Sequence, residues 1–453
     1  MSLKLRRFLY IFFILIFLII TPLICLYAAG YKLDNGLTIK KTGMLIINSE
    51  PPGAKIFLNN QPQQLFLNKL LKNSNKIIKS PAKIKNLLPG EYTVRLELEN
   101  YWPWQKKLKI LSGKSTFAED IILFKKDLPV LLEPGEFNYA SFSNLFKYAA
   151  FADKQTVNLL NLNNGAKKQF LISTNTKNNF SSLDSKFVWS PKNTAVIINK
   201  LLFDTDEWDK PIELQKVLGK NFFNTTWGQE KNEIYFASDK NLLSLDLDDY
   251  KIETIVSKTA FSDYLIKNNF VFLVETNNQK SAVSVWDIEK QELLSKVSLP
   301  FSNYKFIHSI SNLINLYDEK YHILYLLDPF SPMKQLKDAI TNANLSYWAD
   351  ENKLLYSNGF EIWLYNLDNN KKTLLTRISK EITGLFMYSS DNYVIFTTNS
   401  SINVIELDDR EKRNITKIFD FDELKWPQIN KEGNILFFYG QIGNQKGIYK
   451  LAI

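Results

Sequence analysis

The chain has 453 residues, 45% hydrophobic and 23% charged, with 9 Trp, 21 Tyr and 32 Phe; at about 150 residues per domain this suggests two or three domains and excludes disorder for most of the chain. A single cysteine and two histidines exclude a disulfide scaffold and any cysteine-based metal cluster, and leave little material for common metal or acid–base chemistry. The net charge of +9 is uneven: residues 1–7 carry +3, residues 8–50 +1 and residues 51–90 +7, leaving −2 for residues 91–453. The bulk therefore lacks the spread of Lys and Arg that a nucleic-acid binder needs.

From Phe8 to Tyr31 no residue is charged, and at about 1.5 Å per residue such a helix spans roughly the 30 Å of a bilayer's hydrocarbon core. Ala28, Ala29 and Gly30 could form a weak signal cleavage site, but the apolar run is longer than a signal peptide's, which favours an uncleaved anchor. Cys25 follows Ile24 rather than a small residue, which argues against lipid attachment. Lys4, Arg6 and Arg7 precede the span, so the positive-inside rule keeps the amino terminus in the cytoplasm and sends everything after Lys32 across. The predicted divisions are a cytoplasmic tip and anchor (1–31), a linker (32–41), a small β domain (42–124) and a repeat domain (125–453).

The small domain begins with a strand from Gly43 to Ser49, a turn at Pro51-Pro52-Gly53-Ala54 and a strand from Lys55 to Leu58. After Leu88-Pro89-Gly90, Tyr92, Val94, Leu96 and Leu98 alternate with Thr93, Arg95, Glu97 and Glu99, the period of a strand with one buried face. Leu108 and Ile110 alternate with Lys107 and Lys109 in the next strand, which turns at Ser112-Gly113 into Thr116 to Leu123. The order GMLIINSEPPGAKIFLNN, then LLPGEYTVRLELENYWPW, then SGKSTFAEDIIL resembles the PEGA domain, with Pro51, Pro52, Gly53 and Ala54 as its turn and Pro89, Gly90, Tyr92, Tyr101 and Trp104 as its second signature. The chain departs from that family at Asn100, where a glycine is usual, and in a longer insertion over 61–80. The resemblance implies a small β-sandwich of the bacterial envelope that binds or scaffolds rather than catalyses. Within the insertion, Lys69, Lys72, Lys76 and Lys79 recur at helical spacing among Leu70, Leu71, Ile77 and Ile78. Two readings stand: a short amphipathic helix lying on anionic headgroups or an acidic wall polymer, or a solvated lysine-rich loop.

Beyond Phe124 a repeat begins. Comparable apolar positions fall at Ala149, Ala195, Ile234, Val271, Leu313, Leu354, Val394 and Ile435, a period near 40 with three or four strands per unit, as in a propeller blade. FVWSPKNTAVII and LSYWADENKLLYS resemble the repeats of WD40-like and TolB-type propellers. The last unit lacks an outer strand, for which Asp127 to Leu132 is the natural donor. The fold class read here is all-β: a transmembrane helix, a PEGA-like sandwich and a propeller of eight blades, or seven. Trp189, Trp227, Trp348 and Trp426 recur at equivalent places and read as packing between blades.

No motif for catalysis survives inspection. Ser112-Gly113-Lys114-Ser115 lacks the earlier glycine of a phosphate loop. FDTDEWDK offers Asp204, Asp206, Glu207 and Asp209 without the glycine of a calcium loop, and reads as a solvated acidic loop. His308 and His322 form no ligand pair, and no nucleophile elbow is present. The expected function is therefore a non-enzymatic, membrane-anchored scaffold outside the cytoplasm, without cofactor or metal. Its partners are the bilayer, through residues 8–31, and an envelope protein or glycan. The alternative is a glycan-cleaving or glycan-modifying enzyme with its site in the propeller mouth, marked by a converging carboxylate pair.

Overall fold

Residues Leu3–Ala28, predominantly Leu, Ile and Phe, form one helix, α1, with Pro22 inside it. Its stretch Leu5–Ala28 is long and apolar enough to cross a membrane and is covered by none of the other described residues. The computed structural model describes residues 3–34, 38–64, 77–153, 155–171, 187–219, 221–229, 232–277 and 279–453. They divide into two units, Met1–Asp127 with Ile405–Ile418, and Leu128–Val404 with Phe419–Ile453.

In the first unit, β1 (Tyr31–Leu33) and β2 (Ile39–Lys41) pair antiparallel, so the stretch expected as a linker is a hairpin. There follow β3 (Gly43–Glu50), β4 (Lys55–Leu58), β5 (Gln61–Pro62), β6 (Ala82–Leu87), β7 (Gly90–Glu97), β8 (Trp104–Ile110) and β9 (Ser115–Ile122). They make two sheets, ordered β6-β3-β9 and β5-β4-β7-β8, with β3 and β9 parallel. Alternate residues of each sheet enter one apolar core, among them Leu45, Ile47, Ile56, Val94, Leu96, Leu108 and Ile110. At roughly 1.5–3 kcal/mol for each fully buried large aliphatic side chain, this burial drives the closure of the two sheets.

The predicted insertion differs at its ends. Gln64 bridges Ile77 and Lys55 bridges Lys79, both antiparallel, and Ile56 N donates to Ile78 O at 3.1 Å. Residues 77–79 thus extend along β4 instead of continuing a helix, because that strand's open edge supplies backbone partners. Lys69, Lys72 and Lys76 lie outside the described residues.

From residue 139 onward the chain forms successive four-stranded antiparallel sheets, spanning residues 139–171, 187–213, 223–256, 263–299, 304–341, 345–377, 382–420 and 423–452; all belong to the second unit except residues 405–418 of the seventh sheet, which group with the first. Hairpins join neighbouring strands, and each sheet's apolar face packs on the next. Thus Ala150, Val157 and Leu159 of the first sheet share a core with Trp189, Val196 and Phe203 of the second. First strands neighbour one another from sheet to sheet, and Tyr139–Phe142 of the first sheet touches Glu423–Ile429 of the last. A ring in which each sheet's first strand lies innermost is a β-propeller.

Closure uses a strand from the start of the unit. β10 (Val130–Pro134) pairs antiparallel with Gln445–Ala452, matching Val130 to Lys450 and Pro134 to Gly447. The donor begins three residues later than Asp127 because the preceding chain is held by the first unit. Trp102 N donates to Phe124 O and Lys126 N to Asn100 O, both at 2.8 Å. Gly447 is required here, since a Cβ would lie 2.2 Å from Glu133 O.

Candidate functional site

The signature residues of the small domain are placed structurally. Around the Pro51–Ala54 turn, Ser49 and Ser80 hydroxyls meet at 2.6 Å and Ala54 N donates to Ser80 Oγ at 3.1 Å. Ala54 is fully buried. Gly90 opens β7, and Tyr92 Oη donates to Leu88 O at 2.9 Å, which ties the Leu88–Pro89 turn to the strand it precedes. Tyr101 bridges Lys125. Ser112–Ser115 forms the β8–β9 turn, where Gly113 adopts a φ of 68°.

Sequence reading missed Lys106. The buried face of β8 runs Trp104, Lys106, Leu108, Ile110, and Lys106 is only 1% exposed. Within the first unit its ammonium pairs with Glu406 and donates to Asp408 O at 2.7 Å. Trp104 Nε1 donates to the other Glu406 oxygen at 2.8 Å. Arg410 donates to Phe117 O at 2.6 Å and to Asp408. Burial pushes the Asp408 carboxyl up, but the Arg410 guanidinium and backbone N–H, with Lys106, outweigh it and hold the group below the usual carboxylate range. These contacts anchor residues 405–418.

A recess of about 730 Å³ lies in the propeller between the second and third sheets. One wall comes from the Ser190–Thr194 turn and from Asp204, Asp206, Glu207 and Lys210; the other from Trp227, Gln229, Asn232, Asp248 and Tyr250. The walls are brought together because both sheets present turns at the same end. Trp227 fixes the seam, its Nε1 donating to Val188 O of the second sheet at 2.8 Å. Asp204 accepts from Asp206 N at 2.7 Å and Asp248 accepts from Asn232 Nδ2 at 2.8 Å, so both are committed to turn geometry. Asp206, Glu207, Lys192, Lys210 and Tyr250 reach solvent. Four carboxylates against two lysines make the recess acidic. It suits a ligand with ammonium or hydroxyl donors.

The acidic segment read as a solvated loop thus forms one wall of this recess. Among the described residues no group of three or more His, Cys, Asp or Glu is placed to hold a metal ion. His322 Nδ1 is 2.8 Å from Tyr317 Oη on the same hairpin. Trp189, Trp227 and Trp348 lie in cores joining one sheet to the preceding sheet, and the Trp426 ring centre lies 5.4 Å from those of both Tyr139 and Tyr439, tilted against each. Lys79 is exposed at the edge of β4.

No family model matches the chain. No curated protein matches it either. Among solved structures it is similar to one described as the eukaryotic initiation factor, at 11% identity and a TM-score of 0.50, over 69% of this chain and 84% of that one. It is also similar to the C-terminal WD40 domain of Sif2 (12% identity, TM-score 0.48, 72% of this chain and 99% of that one). The Dos1 propeller matches at 11% identity and a TM-score of 0.48, over 72% of this chain and 94% of that one. At these identities the likeness concerns the fold alone.

Proposed function

We propose that this is a membrane-anchored binding protein of the bacterial envelope. α1 spans the membrane with its amino terminus in the cytoplasm, and a PEGA-like β-sandwich and an eight-bladed propeller lie outside. The propeller holds an envelope protein or glycan without catalysis, and anchoring raises its effective concentration at the membrane. The observation that carries the binding role is the acidic recess between the second and third sheets, where exposed Asp206 and Glu207 face Tyr250 and Gln229 across one cavity. Its polar lining and open turns are those of a recognition site on a rigid scaffold.

The test is capture of envelope components by the full-length protein in detergent, compared with the Asp206→Lys, Glu207→Lys double variant. The reading predicts a component retained by the first and lost from the second, and equal retention contradicts it. The glycan-modifying alternative, expected in the propeller mouth, is favoured by one observation at this recess instead: Asp206 and Glu207, two exposed carboxylates, line the same cavity. It predicts release of reducing ends from cell-wall sugars, abolished by Glu207→Gln.

A further inference from the structure

The junction between α1 and the first sheets is short and hydrogen-bonded. The helix ends at Ala28. Two residues on, Gly30 O accepts both Thr42 N and Thr42 Oγ1, each at 2.7 Å. The hairpin β1–β2 is therefore a closed excursion, and Gly43, the first residue of β3, lies one residue from a direct bond to the helix terminus. The β8–β9 turn is tied to the same point. Gly113 N donates to Thr42 O at 3.0 Å, Met44 N to Lys114 O at 3.1 Å and Ser112 Oγ to Lys41 O at 3.1 Å. A Cβ on Gly43 would lie 2.4 Å from Leu111 O, so the turn sits against the junction backbone itself.

This end of the unit has a distinct surface. Leu33 and Ile39 face each other across the hairpin and are 50% and 56% exposed, and Leu111 at the neighbouring turn is 43% exposed. Lys41 shares that face of the hairpin, Lys32 lies on its other face in register with Lys40, and Lys114 stands in the β8–β9 turn; all three are exposed. Lys40 is paired with Asp34, and Lys109 lies opposite Glu91 in the β7–β8 register. Among the described residues Lys32, Lys41 and Lys114 meet no carboxylate. Exposed apolar side chains with unpaired lysines on the same hairpin and turn suit the boundary between acyl chains and anionic headgroups.

We propose that the β1–β2 hairpin and the β8–β9 turn form a platform that docks on the anionic lipid of the membrane α1 enters. Leu33, Ile39 and Leu111 dip into the interface and Lys32, Lys41 and Lys114 lie on lipid phosphates. The inference rests on the reading of α1 as a membrane span. Continuity selects the occupant, because a platform bonded to the end of α1 meets the same bilayer before any other partner.

The test uses the full chain in vesicles, with Cys25→Ser and one new thiol, Leu111→Cys, carrying an environment-sensitive fluorophore; Leu33→Cys serves as a second labelling position. Quenching by acrylamide, a neutral quencher that the surface potential does not repel, is compared between phosphatidylcholine vesicles and vesicles with about one third phosphatidylglycerol, and the inference predicts about threefold weaker quenching in the anionic vesicles. Lys32→Gln, Lys41→Gln and Lys114→Gln together remove that difference. A probe at Ile14→Cys reports the span separately. If that probe is shielded while the platform probes quench equally in both vesicles, the docking is overturned and the span stands. An exposed Ile14 probe overturns both.

Discussion

Lys106 and Glu406 form an ion pair from which water is almost wholly excluded, their side chains 0% and 4% exposed. Neither charge has a sequence neighbour that would justify its burial; each is tolerable because the other is there, with Trp104 and Asp408 satisfying further valences. Removing one partner strands a buried charge, which costs about 3–5 kcal/mol, whereas replacing both with apolar groups of similar volume can be neutral. Lys106→Met is expected to destabilise the first unit by that amount, and Lys106→Met with Glu406→Leu by much less. Hydrogen exchange of residues 405–418 in the full chain measures both.

Asp408 gives the same segment a dependence on acid. Its carboxyl is held below the ordinary value of 3.8, against the effect of burial, by Arg410 and Lys106. Because the folded state binds the proton more weakly than the unfolded state, the contribution is complete above the unfolded value and is lost as pH falls through the lower folded one. Protection of residues 405–418 is therefore expected to decline below about pH 4, and Asp408→Asn is expected to flatten that decline. A variant whose acid profile matches the parent's would contradict this.

Ring closure depends on a backbone approach that admits no side chain. At Gly447 a Cβ would fall 2.2 Å from Glu133 O and 2.7 Å from a Leu131 methyl. Gly447→Val is expected to displace β10 from the last sheet and to lower the thermal midpoint of the propeller. Limited proteolysis should then cut near Val130–Pro134, a region the parent protects.

Much of the architecture was readable because strands advertise themselves by period two and repeats by period forty. The β7 and β8 alternations and the apolar positions from Ala149 to Ile435 needed no tertiary knowledge. Lys106 was not readable. A lysine beside Lys107 and Lys109 looks solvated, and its partner comes from residues 405–418 at the other end of the chain. The recess is half visible in sequence: FDTDEWDK stands out as an acidic segment, but its opposite wall at Asn232, Asp248 and Tyr250 belongs to the next repeat. Periodicity says that units recur, not which turns meet. The donor strand begins three residues later than the sequence suggests, since Phe124 and Lys126 are still bonded to the small domain.

At the recess, Tyr250 is 49% exposed and lines the cavity, and among the described residues its hydroxyl makes no hydrogen bond. Tyr250→Ala is expected to leave the thermal midpoint of the propeller unchanged while weakening partner retention several-fold. Loss of stability in this variant would instead assign Tyr250 to packing.

The account turns on which side of the membrane the two units occupy. Fusion of alkaline phosphatase, which folds only in an oxidising compartment, after Ile453 of the full chain measures this directly in a bacterial host. The account predicts an active enzyme retained in the membrane fraction, with a cytoplasmic reporter inactive at the same position. An inactive phosphatase and an active cytoplasmic reporter would contradict it.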